Sequence, residues 1–112
     1  MEHSYLLVLT TCPDAGFAEA LAAKLVDAGL AACVNIVPGI QSVYRWKGKR
    51  ETGTERLLLI KTRAALYTRL EQAITESHPY ELPEVLAVPI KNGLAGYLSW
   101  IDEVTSGAGQ EG

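Results

Sequence analysis

The side chains with the most reactive chemistry lie in two short segments, one ending at Cys12 and one beginning at His78. A thiolate and an imidazole are ligands that copper and zinc accept, and Glu81 and Glu84 follow His78 closely. The sequence has no local metal signature such as CxxC or HxxxH. Cys12 and His78 therefore predict a copper or other divalent-cation site if the fold brings them together. The alternative to a metal site is structural: Cys12 would be a small residue at the end of a strand, and His78 would end a helix before Pro79.

A second set of residues is typical of a small-molecule or anion pocket. Lys61 lies in an apolar run, where an ionisable group needs a partner, and Glu81 and Glu84 are candidate partners. Aromatic residues suited to the walls of a cleft between subunits are Trp46, Tyr80, Tyr97 and Trp100. The alternative is that the charged groups form ion pairs between subunits while the aromatic side chains fill the interface.

Catalysis has weaker support than binding. The chain has neither a GxSxG motif nor a P-loop, and His3 lies close to the N-terminus. A Cys12–His78 nucleophile pair is the one catalytic arrangement that the sequence offers, and we expect no enzymatic activity. Cys33 is expected to be a small buried hydrophobic residue.

Seven elements are predicted to position these residues within a single domain spanning residues 1–112. Hydrophobic periodicity indicates the order strand, helix, strand, strand, helix, strand, helix. The predicted bounds are strand Tyr5–Thr11, a helix between Asp14 and Gly29, a long hairpin over Leu30–Arg63, helix Ala64–Ser77, strand Glu84–Ile90 and helix Leu94–Thr105. The small polar residues 106–112 are expected to form a frayed tail.

The hairpin is predicted to be unusually long. Its 34 residues, at about 3.3 Å each and folded once, give arms of roughly 50 Å, whereas a domain of this length has a radius of gyration of roughly 13 Å. The arms must therefore bend, bulge or reach a neighbouring subunit. Pro38 and Gly39 form the expected bulge, and the polar residues Lys47–Thr54 form the expected turn region.

The element order best fits an α+β, ferredoxin-like split βαβ sandwich with sheet order 4-1-3-2. This topology places residues 10–12 at the same sheet edge as His78, Tyr80, Glu81 and Glu84. Both main helices then cover one face of the sheet, yet the strands are apolar on both faces. A large open apolar face is rare in a monomer, and we therefore expect an oligomer.

Several motifs, in order, resemble the CutA divalent-cation-tolerance family: TTCPD, LAACVNIVPG, SVYRWKGK, LLLIKTR, HPYELPEV and YLSWI. The resemblance implies a tight homotrimer, similar to the PII-type signal proteins, with sheets packed together and hairpins extending across neighbours. It also implies a role in tolerance to copper and other divalent metals. Copper ligands proposed in the family include a cysteine where this chain has Thr10 and paired histidines where it has Ser77-His78. Only His78 matches.

Composition narrows the class of protein further. The net charge of −3 weighs against nucleic acid or an anionic membrane as a partner, and no apolar run reaches the roughly 20 residues of a membrane span. Two cysteines are too few for a disulfide framework, and no secretory signal pattern is evident. We expect a cytosolic protein of divalent-metal tolerance. The alternative is a PII-like small-ligand sensor or scaffold without a metal role.

Overall fold

The structure, a computed structural model, describes residues 4–110 as an α+β fold with a four-stranded antiparallel sheet. The strand order β2-β3-β1-β4 is the order predicted for a ferredoxin-like arrangement, and that prediction is confirmed. In chain order the elements are β1 (Tyr5–Cys12), α1 (Ala15–Asp27), β2 (Cys33–Trp46), β3 (Lys49–Arg63), a short 3₁₀ helix (Ala64–Leu66), α2 (Tyr67–Ser77), β4 (Val85–Ile90) and α3 (Ala95–Gln110).

Local sequence signals set the ends of α1 and α2. The Asp14 carboxylate accepts a hydrogen bond from the Phe17 backbone N–H at 2.8 Å, which caps the first turn of α1. Gly29, with φ of 73°, follows the end of the same helix. His78 has extended backbone angles and ends α2 immediately before Pro79.

The core lies between α1, α2 and one face of the sheet. Side chains at alternate positions of β1 and β3 point to this face and are fully buried, as Val8, Leu58 and Ile60 show. Leu25 of α1 and Ile74 of α2 pack against them in one cluster. This layer holds the two helices against the sheet.

The opposite face of the sheet is apolar but only partly covered. At the end where β1 begins, α3 packs on this face through a small cluster that includes Tyr5 and Ile101. The Tyr5 hydroxyl donates a hydrogen bond to Asp102 at 2.7 Å, and the Arg63 guanidinium binds the Thr105 hydroxyl and carbonyl. Beyond α3 the face stays open, with Leu86 56% and Val88 46% exposed.

The hairpin of β2 and β3 is long and contains the predicted bulge. The pairing register shifts between Val37 and Ile40, where Gly39 has φ of 72°. The predicted turn region Lys47–Thr54 is wrong, because only Lys47 and Gly48 form the turn and β3 begins at Lys49. Both turn residues have positive φ, which suits a two-residue hairpin turn. Backbone pairing then continues through the exposed polar residues.

The C-terminal helix is longer than the sequence predicts. α3 continues to Gln110, well past the predicted end at Thr105 and into the segment expected to fray. The Ser106 hydroxyl donates to the Glu103 carbonyl at 3.1 Å, a local contact compatible with helix at a small polar residue. Residues 111 and 112 of the predicted tail lie outside the described part of the chain.

Two threonines that face the helices provide a matched test of the buried polar groups. The Thr62 hydroxyl donates to the Leu30 carbonyl at 2.6 Å, whereas the Thr10 hydroxyl is buried with no partner in the described residues. We expect Thr62→Val to lower the free energy of unfolding by about 1–3 kcal/mol. Thr10→Val should be neutral or should raise it by about 1 kcal/mol. Denaturant unfolding at one fixed protein concentration measures both, and equal losses would contradict this assignment.

Candidate functional site

A cleft lies between the long hairpin and the connector that leads from α2 to β4. It has a volume of about 780 Å³. Residues 41–46 of β2 and Glu55 of β3 line one side, residues 80–84 line the other, and Thr11 at the end of β1 contributes to the wall. The cleft forms here because β1 ends at Cys12, opposite Arg56, so the outer part of the hairpin has no β1 neighbour.

A buried carboxylate, that of Glu55, ties the two walls of the cleft together. Its Oε1 accepts a hydrogen bond from the Ser42 hydroxyl at 2.6 Å, and its Oε2 accepts one from the Tyr80 hydroxyl at 2.7 Å. Glu55 is only 9% exposed. Burial and the hydrogen bond to Glu55 raise the pKa of the Tyr80 hydroxyl well above its usual value. Tyr80 therefore stays protonated and remains a donor to Glu55.

Sequence reasoning missed Glu55, although a signal was present. Glu55 lies two residues before Leu57 and four before Leu59, so strand alternation places it on the same apolar face as these two leucines, the face opposite α1 and α2. An acidic side chain at such a position needs donors from elsewhere in the fold. The donors come from Ser42, on the adjacent strand of the hairpin, and from Tyr80, which is 25 residues away in the chain.

The His78 imidazole holds the connector against the end of β1. Its Nε2 lies 2.8 Å from the Thr11 carbonyl oxygen, and its Nδ1 accepts a hydrogen bond from the Tyr80 N–H at 3.2 Å. This pattern requires the tautomer with the proton on Nε2. The ring also contacts Phe17 and Tyr80, with ring centroids 5.1 and 4.6 Å away. Both ring nitrogens are therefore engaged, and a metal ion at either would have to displace a hydrogen bond.

Cys12 lies at the predicted edge, but its thiol is buried in the core. The residue has no exposed surface. Burial, with smaller contributions from the charges of Glu55 and Asp14, raises the pKa of the Cys12 thiol to about 11. A thiol of this kind is a poor metal ligand near neutral pH, since the thiolate is the form that binds. Cys33 lies at the other end of the sheet, opposite Lys61, and is partly exposed, so the prediction that it is buried is wrong.

The remaining predicted residues divide into two groups. The first group lines the cleft and consists of Trp46, Tyr80, Glu81 and Glu84. Lys61 does not join them: within its own chain it is hydrogen-bonded to Asn35 and not to Glu81 or Glu84, its predicted partners. The register explains this, because Lys61 pairs with Leu7 of β1 whereas the start of β4 pairs with Thr10.

Trp100 also lies away from the cleft of its own chain. It is on α3, where its ring is 5.4 Å from that of Tyr97. Burial and the neighbouring Cys33 raise the pKa of the Tyr97 hydroxyl. Tyr97 and Trp100 thus form an aromatic pair on the helix that covers one end of the open face.

Metal donors do not converge in the described part of the chain. No group of three or more histidine, cysteine, aspartate or glutamate side chains within residues 4–110 could hold a metal ion. The nearest ionic contact at the cleft rim joins the Lys47 ammonium to Glu81 at 3.8 Å, and both side chains are exposed. The cleft of one subunit is therefore polar and aromatic in its lining.

The two cysteines should differ in reactivity toward a thiol reagent. With a pKa of about 11, roughly 0.1% of Cys12 is thiolate at pH 8, and access to it is closed by the core. We expect Cys33→Ser to abolish the fast reaction of the folded protein with Ellman's reagent at pH 8. Cys12→Ser should retain the fast reaction. Fast labelling of Cys12 in the folded Cys33→Ser protein would contradict the burial described here.

Comparison with known proteins shows the family. The family model for the CutA1 divalent ion tolerance protein matches residues 6–104. A relative from Oryza sativa, Protein CutA 1, chloroplastic, is 46% identical over 89% of this chain and 56% of its own length. The divalent-cation tolerance protein CutA of Thermus thermophilus is 44% identical over 88% of this chain and 96% of its own length.

The solved structures agree with the sequence relatives. The crystal structure of CutA1 from Oryza sativa has a TM-score of 0.89 at 45% identity, covering 91% of this chain and 94% of that one. That of the Thermus thermophilus protein has a TM-score of 0.88 at 44% identity, with 90% and 98% covered. The chain spans about half the length of several curated relatives, among them those of rice and human. On this evidence the chain belongs to the CutA1 divalent ion tolerance family.

Proposed function

We propose that this protein acts in tolerance to divalent metal ions as a homotrimer. The family supports the metal-tolerance role, since the Thermus thermophilus relative is named for divalent-cation tolerance. The homotrimer is supported by one observation above all: a sheet face that its own helices leave partly uncovered. In this proposal the open faces of three chains pack together, and the long hairpins reach the neighbouring subunits.

The open face has the character of an interface. Leu86 and Val88 of the edge strand β4 are about half exposed, and Leu7, Leu57 and Leu59 of the two central strands share the same face. Contiguous apolar surface of this kind is costly in water at about 25 cal/mol per Å². A second and third copy of the chain would bury it without any change of fold.

The size of the assembly should respond to a charge placed on this face. We expect the wild-type protein to sediment at about 36 kDa, three times the 12.1 kDa of one chain. Leu86→Glu should dissociate it, because the carboxylate would be buried at the interface without a partner. Val26→Glu is the matched control, since Val26 is 42% exposed on α1. A Leu86→Glu protein with unchanged mass would contradict the packing proposed here.

Direct binding of copper or another divalent cation is proposed to be weak. The Cys12 thiol is protonated and buried, so His78 is the one remaining predicted metal ligand from the family pattern. A metal ion on its Nδ1 must displace the 3.2 Å hydrogen bond from Tyr80 N–H. Such a bond contributes about 0.5–1.5 kcal/mol, which lowers the metal affinity by roughly two- to tenfold.

Calorimetric titration with Cu²⁺ and with Zn²⁺ tests the metal proposal. We expect weak saturable binding that His78→Gln abolishes, because glutamine lacks the imidazole nitrogen. Cys12→Ser should leave the affinity unchanged, since the thiol is not a ligand in this account. Binding that survives His78→Gln, or no saturable binding at all, would contradict a role for this residue in metal tolerance.

A second candidate function is that of a trimeric small-ligand sensor or scaffold without a metal role. The cleft favours it, because its volume of about 780 Å³ lies within the range of small-molecule sites. The buried Glu55 and three aromatic side chains give it the polar and apolar parts that such sites combine. In either role we propose a binding protein rather than an enzyme.

The cytosol is the proposed location. No helix within residues 4–110 is long and apolar enough to cross a bilayer. Both cysteines are free thiols, as is usual in a reducing compartment. Relatives carry other locations in their names, chloroplastic for the Oryza sativa protein and periplasmic for that of Archaeoglobus fulgidus. We propose neither nucleic acid nor membrane as a partner, in keeping with the net charge of −3.

A further inference from the structure

We infer that the cleft between the hairpin and the connector binds an organic cation, an ammonium or guanidinium group on a short apolar stem. The inference names a ligand class for the small-ligand role proposed above and rests on that role. It is independent of metal binding at His78. Three features of the cleft carry it: a buried carboxylate without a cation, aromatic walls, and an excess of acidic groups.

The Glu55 carboxylate is the first feature. It is 9% exposed, yet no cationic side chain of residues 4–110 lies within 4 Å of it to form an ion pair. Two neutral hydroxyls, from Ser42 and Tyr80, each donate one hydrogen bond to it. A carboxylate has about four lone-pair sites, so two remain for the N–H donors of a ligand. A buried charge without an opposite charge is costly, and a cationic ligand would supply that charge.

The aromatic walls are the second feature. Tyr44 and Trp46 line the same wall of the cleft as Glu55, and Tyr80 lines the opposite wall. Aromatic faces attract ammonium and guanidinium groups through the ring quadrupole. The protein already uses this contact at the rim, where the Lys47 ammonium lies 5.7 Å from the Trp46 ring centroid and 3.8 Å from Glu81. Both Lys47 and Glu81 are exposed, so a ligand can displace this pair at little cost.

The negative charge of the cleft lining is the third feature. Its lining contains the carboxylates of Glu55, Glu81 and Glu84 and one cation, the guanidinium of Arg45. An anionic ligand would meet this excess of negative charge within a few ångströms. A bare metal ion is a poorer match, because it needs several donor groups and no group of three metal donors converges in residues 4–110. A delocalised organic cation with several N–H donors fits all three features.

Four small probes of similar size test the inference on the intact protein. They are butylguanidinium, butylammonium, the neutral butanol and the anionic butyrate, followed by calorimetry and by saturation-transfer NMR. We expect both cations to bind saturably, with butanol and butyrate at least about tenfold weaker. Equal binding of the neutral probe, or no binding of either cation, would overturn the inference.

Variants then locate the binding. Glu55→Gln keeps the shape of the side chain but removes the charge, and should weaken butylguanidinium binding about tenfold. Tyr44→Leu removes one aromatic wall without touching Glu55 and should weaken it severalfold. Glu103→Gln, which removes a negative charge from exposed α3, is the matched control and should have no effect. If Glu55→Gln fails to fold, Tyr44→Leu and the four probes still decide the question.

Two results would separate this inference from the other proposals. A trimer that binds Zn²⁺ through His78 but binds no butylguanidinium would overturn the organic-cation site and leave the metal role intact. A crystal structure of the assembled protein with an arginine or lysine of a second copy against Glu55 would also overturn it, because the missing cation would then come from the neighbouring chain.

Discussion

The need to bury a sheet that is apolar on both faces governs the rest of this structure. Leu58 and Ile60 point toward α1 and α2 and are fully buried, whereas the alternate residues Leu57 and Leu59 point the other way. Within residues 4–110 the one further helix available for that second face is α3. α3 covers the end of the face near Tyr5 and Arg63 and leaves the end near Leu86 open. We propose the trimer because α3 leaves this part of the apolar face exposed.

The same geometry creates the cleft. β1 is shorter than its hairpin neighbour β3, so the outer part of the hairpin extends past the sheet. The connector after α2 lies beside this extension and is held by two contacts, His78 to the Thr11 carbonyl and Tyr80 to Glu55. In this arrangement His78 has a structural role whether or not it also meets a metal. Glu55 is the residue on which the two walls of the cleft depend.

Much of the fold was predictable because its signals are local. The Asp14 cap, the Gly29 stop and the bulge beside Gly39 depend on one residue each, and alternation along the strands assigned the two faces. The turn is shorter than the polar segment predicts, because exposed strands of a hairpin can be polar on both sides and polarity alone does not indicate a loop. The length of α3 was underestimated for a similar reason, since small polar residues weaken a helix without ending it.

The candidate site was less predictable, because its contacts join residues far apart in the chain. Topology correctly placed Tyr80, Glu81 and Glu84 together at one edge. It did not identify Glu55, whose role depends on Tyr80 reaching across the cleft, nor Asn35 as the partner of Lys61. Cys12 shows the same limit, because its position at the edge was predictable but the burial of its thiol depends on α1 and α2.

Small-angle X-ray scattering of the wild-type protein in dilute solution can show whether the open face is covered by further copies of the chain, because it reports particle mass and size together. We expect a particle of three chains, with a mass of about 36 kDa and a radius of gyration larger than that of one chain. A single chain has a Cα radius of gyration of 14.7 Å and a longest extent of 46 Å. Scattering that matches those single-chain dimensions, with a mass near 12.1 kDa, would contradict the claim that the open face is an interface.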